Sequence, residues 1–347
     1  MIPGVVRRSA WLLPGAVVGA LLFAIPHPAT AADDDPRAWL QRMNQALATR
    51  NYDGMFMHVS DGRIETMRIV HRVQAGRVTE RLTSMDGSGR EFIRSNDELT
   101  CYLPDKKTVL VEQTQERGPF LGTLPQFGAG VNEFYQIESL PNTRVLGRSA
   151  RVISVTPKDQ FRFGYRLWLD EKTAMPLKTQ LCDARGNVLE QIVFARLETP
   201  DTIPDAELAP SVHTEGMRWV RLSPREALPV DSAGFRASEL PPGFRLTVTG
   251  AQMLGGASLP ATHLVYSDGL ATVSVFVEAG TDAKGPDDKV DAAQAPMQGL
   301  ARVGSGFVFS TVVQGHQVTA VGEVPAQTVE FIAHSVKPSA GSESTRR

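Results

Sequence analysis

The feature that most constrains this chain is a change of period at Tyr52, where apolar residues stop recurring at helical spacing and begin to alternate in twos. Met67, Ile69, His71 and Val73 alternate with Thr66, Arg68, Val70 and Arg72, and comparable segments return near 78–85, 90–95, 98–103 and 107–113. Gln74-Ala75-Gly76, Asp86-Gly87-Ser88-Gly89, Ser95-Asn96-Asp97 and Pro104-Asp105-Lys106 separate them at hairpin distances, so the strands are expected to pair antiparallel. The pattern resumes near 144–156, 161–170, 176–182 and 188–198. Asp35 followed by Pro36 opens a helix to about residue 48, with Trp39, Leu40, Met43 and Leu47 on one stripe that must lie against a sheet. A short helix is expected around 132–140. Before it, 118–128 is too rich in glycine and proline for regular structure, yet it carries Phe120, Leu121, Leu124 and Phe127 and must cover something apolar. The fold class is therefore mainly β (α+β), a large, strongly curved antiparallel sheet with helices in its concave side.

Prolines at 200, 204, 210, 224 and 229 interrupt the periodicity and divide 33–210 from a second unit at 230–337, with 211–229 as the linker. The second unit is expected to be a smaller antiparallel sheet with a helix, its strands near 244–249, 262–267, 270–278, 306–313 and 317–322. Pro325 opens the helix, which buries Val329, Ile332 and Val336. Residues 280–299 are expected to be a mobile insertion and 338–347 a disordered tail.

The first 32 residues place the chain outside the cytoplasm. Arg7 and Arg8 precede an apolar run over 10–25, and Ala29-Thr30-Ala31 supplies the small residues of a signal-peptidase site. No cysteine stands there to take a lipid, so the expected product is soluble and extracytoplasmic. The leader holds two of the 36 basic residues and none of the 38 acidic ones, leaving a formal charge of −4, which argues against wholesale nucleic-acid binding. Cys101 and Cys182 could form a bridge in an oxidising compartment. The alternation leaves two unpaired thiols as the plainer alternative, since Cys101 sits in phase with Leu99 and Leu103 and Cys182 with Lys178 and Gln180.

Exported chains are often hydrolases, but no catalytic set appears. There is no Gly-x-Ser-x-Gly elbow, no His-Glu-x-x-His helix and no Ser-x-x-Lys pair, and the histidines at 58, 71, 213, 263, 316 and 334 lack metal-ligand spacing. No cofactor or metal is implied. An arginine series on consecutive hairpins, Arg63, Arg68, Arg72, Arg77, Arg81, Arg90 and Arg94, reads either as a solvated sheet face or as a site for an acidic peptide or lipid phosphates.

Over nearly the whole chain after the leader, the sequence resembles the periplasmic sigma-factor regulators of the MucB/RseB family. The likeness rests on Met43-Asn44, Met85-Asp86-Gly87 with Arg90-Glu91, Tyr165-Arg166-Leu167-Trp168-Leu169-Asp170, Met175-Pro176-Leu177, and Asp183 to Gly186 with Leu189-Glu190-Gln191. It continues through Leu240-Pro241-Pro242-Gly243-Phe244, Tyr266-Ser267-Asp268-Gly269-Leu270 and Val321-Gly322-Glu323-Val324-Pro325 with Gln327-Thr328. It implies an unclosed β-barrel similar to lipoprotein carriers, followed by a domain that binds an anti-sigma factor. The protein would hold the periplasmic part of a single-span anti-sigma factor and shield it from the first protease. A lipid, lipopolysaccharide or mislocalised lipoprotein would release that grip, and self-association stays open. On this reading Phe56, Ile69, Leu82, Phe92 and Leu99 line a lipid cavity, with Phe120, Leu124 and Phe127 at its mouth, and the alternative is that they form a filled core. Arg68, Arg72, Arg81, Tyr266 and Asp268 are the candidate partner contacts. A periplasmic lipid or lipoprotein carrier is the rival reading, which the second unit disfavours, and a secreted hydrolase is a more distant one.

Overall fold

The structure, a computed structural model, describes residues 35–95, 97–113, 127, 131–222, 226–228, 234–253, 260–278 and 298–339. The expected leader, 1–32, lies outside them. Asp35 caps the first helix by accepting a hydrogen bond from the Arg37 amide at 3.0 Å, and Pro36 occupies the first turn, where its missing N–H leaves no bond unmade. Helix α1 (Pro36–Thr49) buries Trp39, Leu40, Met43, Ala46 and Leu47, the expected stripe with Ala46 added.

The chain then enters strands β1 (Tyr52–Ser60), β2 (Arg63–Gln74), β3 (Arg77–Ser84), β4 (Glu91–Ser95), β5 (Glu98–Leu103) and β6 (Thr108–Gln113). A single helical turn, α2 (Val131–Phe134), leads into β7 (Tyr135–Val145), β8 (Arg148–Pro157), β9 (Gly164–Asp170), β10 (Pro176–Cys182) and β11 (Val188–Glu198). After a connection comes β12 (Arg218–Leu222). Among the described residues these make one 12-stranded sheet in the order β12-β6-β5-β4-β3-β2-β1-β11-β10-β9-β8-β7. Every described pairing is antiparallel except β12 with β6, which is parallel, so the sheet is mixed rather than purely antiparallel. The helix expected over 132–140 is a correction: it is one turn followed by an edge strand. Pro141 masked that strand's alternation, and the ladder absorbs it at a register shift between Leu140 and Thr143, where a missing N–H is tolerated.

The second sheet runs β13-β15-β16-β17-β20-β19-β18, built from β13 (Glu226–Leu228), β15 (Arg245–Gln252), β16 (Ala261–Ser267), β17 (Thr272–Glu278), β18 (Gly299–Val303), β19 (Gly306–Val313) and β20 (His316–Gly322). Helix α3 (Ala326–Ser335) packs on it and buries Val329 and Ile332 among Leu264, Val273, Val275 and Ala320. Strands β14 (Phe235–Ala237) and β21 (Val336–Pro338) pair beside it. Two edges of the expected irregular stretches are thus ordered: Gly299 begins a strand, and Pro338 ends one.

Candidate functional site

Period two gives the large sheet two distinct faces, and each does different work. On the inner face, the side that α1 covers, the register aligns Gly54, Ile69, Leu82, Phe92, Cys101, Leu110 and Val220 in one row across seven strands. Phe56 and Ile69 are 5% and 0% exposed and belong to one core cluster with Trp39, Leu40, Met43 and Leu47. They are filled core, not open cavity lining. Leu82 packs against that cluster. Outward from it, Phe92, Cys101, Leu110 and Val220 are half-buried, as is Leu99 in the next row. An apolar strip therefore runs from the core toward the β12 edge. Phe127, expected at the mouth, is a correction: it is 8% exposed in the same core. Its ring meets Tyr165 edge-on at 6.4 Å, and its carbonyl accepts from the Asn44 amide at 3.3 Å. Phe120 and Leu124 lie outside the described residues. Both cysteines are free thiols; burial pushes Cys101 up to about 11 and also raises Cys182.

The second inner-face row carries Tyr52, His71, Glu80, Arg94, Leu99 and Glu112. His71 Nδ1 lies 2.8 Å from Glu80 Oε1, and Arg94 Nη1 is 3.5 Å from Glu80 Oε2. The Tyr52 and His71 rings stack at 4.5 Å, 5° from parallel. Burial first, and then the Glu80 charge, push the Tyr52 hydroxyl far above its ordinary range.

The outer face holds Arg68, Arg72 and Arg81, and around them it is not open to solvent, whereas Arg63 and Arg77 are exposed and Arg94 stands on the inner face. The connection after β11 lies across it as a strap. Ile203 and Leu208 bury Val70, and Val212 and Met217 pack on Tyr102, Val109 and Val111. Arg68 pairs with Asp53 at 2.9 Å and with Glu207 at 2.8 Å. Arg72 reaches Asp205 at 2.5 Å and the Ile203 carbonyl at 3.2 Å. Arg81 binds buried Glu91 at 2.9 Å, and Glu91 also accepts from the Ser211 amide at 3.0 Å and from its hydroxyl. The three arginines expected to meet a partner therefore hold the chain's own strap. The strap residues of this network, Asp205, Glu207 and Ser211, lie more than 100 residues along the chain from the groups they bind, too far for the hairpin pattern to reveal.

Tyr266 and Asp268 are also interior. The Tyr266 hydroxyl accepts from the Ala237 amide at 2.8 Å, and Asp268 meets the fully buried Arg162 guanidinium at 2.7 Å. Asp268 also accepts from the Tyr135 hydroxyl at 3.0 Å. Arg162 donates to the Pro242 carbonyl at 2.6 Å, and the rings of Phe134, Tyr135 and Phe244 surround it at 4.9, 5.5 and 5.3 Å. Gly243, at φ +82°, gives this junction its room, because a Cβ there would meet Phe134 at 2.4 Å. A second junction joins His58 and Glu190 of the large sheet to Ser305 and Glu323 of the small one. His58 Nε2 is 3.1 Å from Glu190, and Ser305 Oγ contacts Glu190 at 2.7 Å and also Glu323. Burial and then the Glu190 charge lift Glu323 to about 7. Burial alone would raise Glu190 too, but hydrogen bonds from His58 and Ser305 bring it below its usual value. The bond to Glu190 raises His58.

Among the described residues, no group of three or more His, Cys, Asp or Glu could hold a metal, and no helix is long and apolar enough to cross a membrane. What the fold and its faces define is a protein of two joined sheets, with an apolar strip on one and buried polar junctions between them. Family models for the MucB/RseB N-terminal domain and the MucB/RseB C-terminal domain match residues 35–212 and 229–337. The chain belongs to the MucB/RseB family, whose members are regulatory proteins and not enzymes. It is 31% identical to the sigma factor AlgU regulatory protein MucB of Pseudomonas aeruginosa, over 97% of this chain and 99% of that one. It is 27% identical to the sigma-E factor regulatory protein RseB of Escherichia coli K12, over 95% and 98%. A crystal structure of MucB in complex with MucA(peri) superposes with a TM-score of 0.67 at 28% identity, covering 88% of this chain and 100% of that one.

Proposed function

We propose that this protein is an exported, periplasmic negative regulator of an envelope-stress sigma factor. It binds the periplasmic segment of a single-span anti-sigma factor, protects that segment from the first proteolytic cut, and lets go when an acyl ligand binds. The observation that carries this reading is the likeness, over nearly the whole of both chains, to a MucB solved with MucA(peri). The half-buried strip of Phe92, Leu99, Cys101 and Leu110 supports the acyl part, since each methylene buried there contributes about 0.8 kcal/mol. In this division of labour, 33–210 senses the ligand and 230–337 holds the anti-sigma factor, with 211–229 between them. Release requires that the ligand prefer the conformation with the weaker grip, and the size of that preference sets the response.

Calorimetric titration of the protein with the periplasmic segment of the single-span protein encoded beside its sigma factor tests the binding step. A saturable one-to-one heat that an acyl amphiphile weakens supports the proposal. A flat titration at micromolar protein contradicts it.

A further inference from the structure

The outer face of the large sheet has two halves, and the strap lies on one of them, running from β2 toward β6. There it meets cation with acid and apolar with apolar: Asp205 pairs with Arg72, Glu207 with Arg68, and Ile203 and Leu208 bury Val70 between the two arginines. On the other side of β2 the register carries the same mixture. Trp168, Lys178, Val193 and Met57 stand in one row with Thr66 of β2, and Arg166 stands in the next row beside Gln180. Thr66 is in phase with Arg68 and Val70, so both rows are on the strap's face of the sheet. Lys178 Nζ lies 4.4 Å over the Trp168 ring. Among the described residues no carboxylate comes within ion-pair distance of Arg166 or Lys178, and the Arg166 Nε–H is buried without an acceptor. Burial and then the Arg166 charge lower the Lys178 ammonium below its ordinary value. Two like charges held together on a half-buried surface are unfavourable until an anion joins them.

We propose that this second half of the outer face, centred on Arg166, Trp168 and Lys178, docks an acidic and aliphatic stretch of the anti-sigma factor's periplasmic segment. A carboxylate between the two cations satisfies both, and aliphatic side chains beside it cover Trp168, Val193 and Met57, the last 37% exposed. Charge complementarity selects an acidic occupant, and the strap shows that this face takes such an occupant as extended polypeptide, with its acids on the arginines and its aliphatic residues between them. The docking surface rests on the anti-sigma reading above. It adds a foothold on the large sheet to the grip proposed for 230–337.

Calorimetric titration of the full mature chain with that periplasmic segment reads the docking. Arg166→Gln combined with Lys178→Gln is expected to weaken binding by about thirtyfold and to flatten its dependence on salt. The melting temperature of the free protein should stay the same or rise, because neither cation holds an acid there. Replacing the segment's acidic residues by their amides should cost the parent chain the same affinity and cost the double variant little more, the signature of one shared contact. Arg166→Lys with Lys178→Arg keeps both charges and should keep most of the affinity. If the double variant loses stability, the amide-substituted segment read on the parent chain decides instead, and a parent affinity indifferent to it overturns the site. Parent-like affinity and salt dependence in a stable double variant overturn the docking surface but leave the regulatory reading standing. Loss of binding to phosphatidylglycerol vesicles with segment affinity intact also overturns it and assigns the patch to a membrane surface. No binding of the segment to the parent chain overturns both.

Discussion

Arg162 shows how much of the junction between the sheets depends on one side chain. Its guanidinium and the Asp268 carboxylate are both fully buried at 2.7 Å, so removing Asp268 leaves the buried cation with the partly exposed Asp159, 3.0 Å away, as its one remaining carboxylate among the described contacts. Asp268→Ala is expected to destabilise the protein by about 3–5 kcal/mol, read as a fall in the urea midpoint; a change under about 1 kcal/mol would mean that the pair is not the pin it looks to be. Nothing in Gln160-Phe161-Arg162-Phe163 distinguishes this arginine from the surface ones, because its burial comes from Phe134, Tyr135 and Phe244 at distant positions. Asp268 did stand out, but through a turn motif. That turn requires its side chain for the Leu270 and Ala271 amides, while its second oxygen serves the junction.

At the scale of elements, the strands of the large sheet were legible because each one's alternation is local and its turns are short. The strap was not. Its prolines remove periodicity, and its hold on the sheet comes from Ile203, Leu208, Val212 and Met217 meeting residues on β2, β5 and β6, contacts that no single-segment pattern encodes. The same distance effect hid the apolar strip, of which only Leu82, Phe92 and Leu99 were named beforehand, since Cys101 and Leu110 join it only through register. Glu91 is the strap's best-buried anchor, bound to Arg81 and Ser211. Glu91→Ala should therefore speed amide hydrogen exchange across 203–217 while leaving β8 to β10 protected, as measured by mass spectrometry. Uniform acceleration throughout the sheet would show that the strap and sheet open as one unit.

For the whole molecule, the His58, Glu190, Ser305 and Glu323 junction links the two sheets to pH. Ser305 has one hydroxyl proton for two carboxylates, so the arrangement is best satisfied when Glu323 carries a proton. Glu65 of β2 and Tyr165 of β9 also face this group electrostatically. Glu323 rises from 4.5 to about 7 on folding, so its contribution is present in full below the unfolded value and is lost as pH rises through about 7. His58, also raised, acts in the same direction. Glu190, lowered, acts oppositely, and only below its unfolded value of 4.5. The melting temperature is therefore expected to fall by a few degrees as pH rises from about 4.5 to about 7, and Glu323→Gln should flatten that slope. A wild-type profile as flat as that of the variant would separate the junction from the pH response.

The central claim is that this chain guards an anti-sigma factor against its first protease. The most direct measurement is a reconstituted cleavage time course of that factor's periplasmic segment with its membrane-facing protease, run with increasing amounts of the mature protein and then with an acyl amphiphile. The account expects the first cut to slow in proportion to complex formation and to recover when the amphiphile is added. A cleavage rate that stays constant while binding saturates would contradict it.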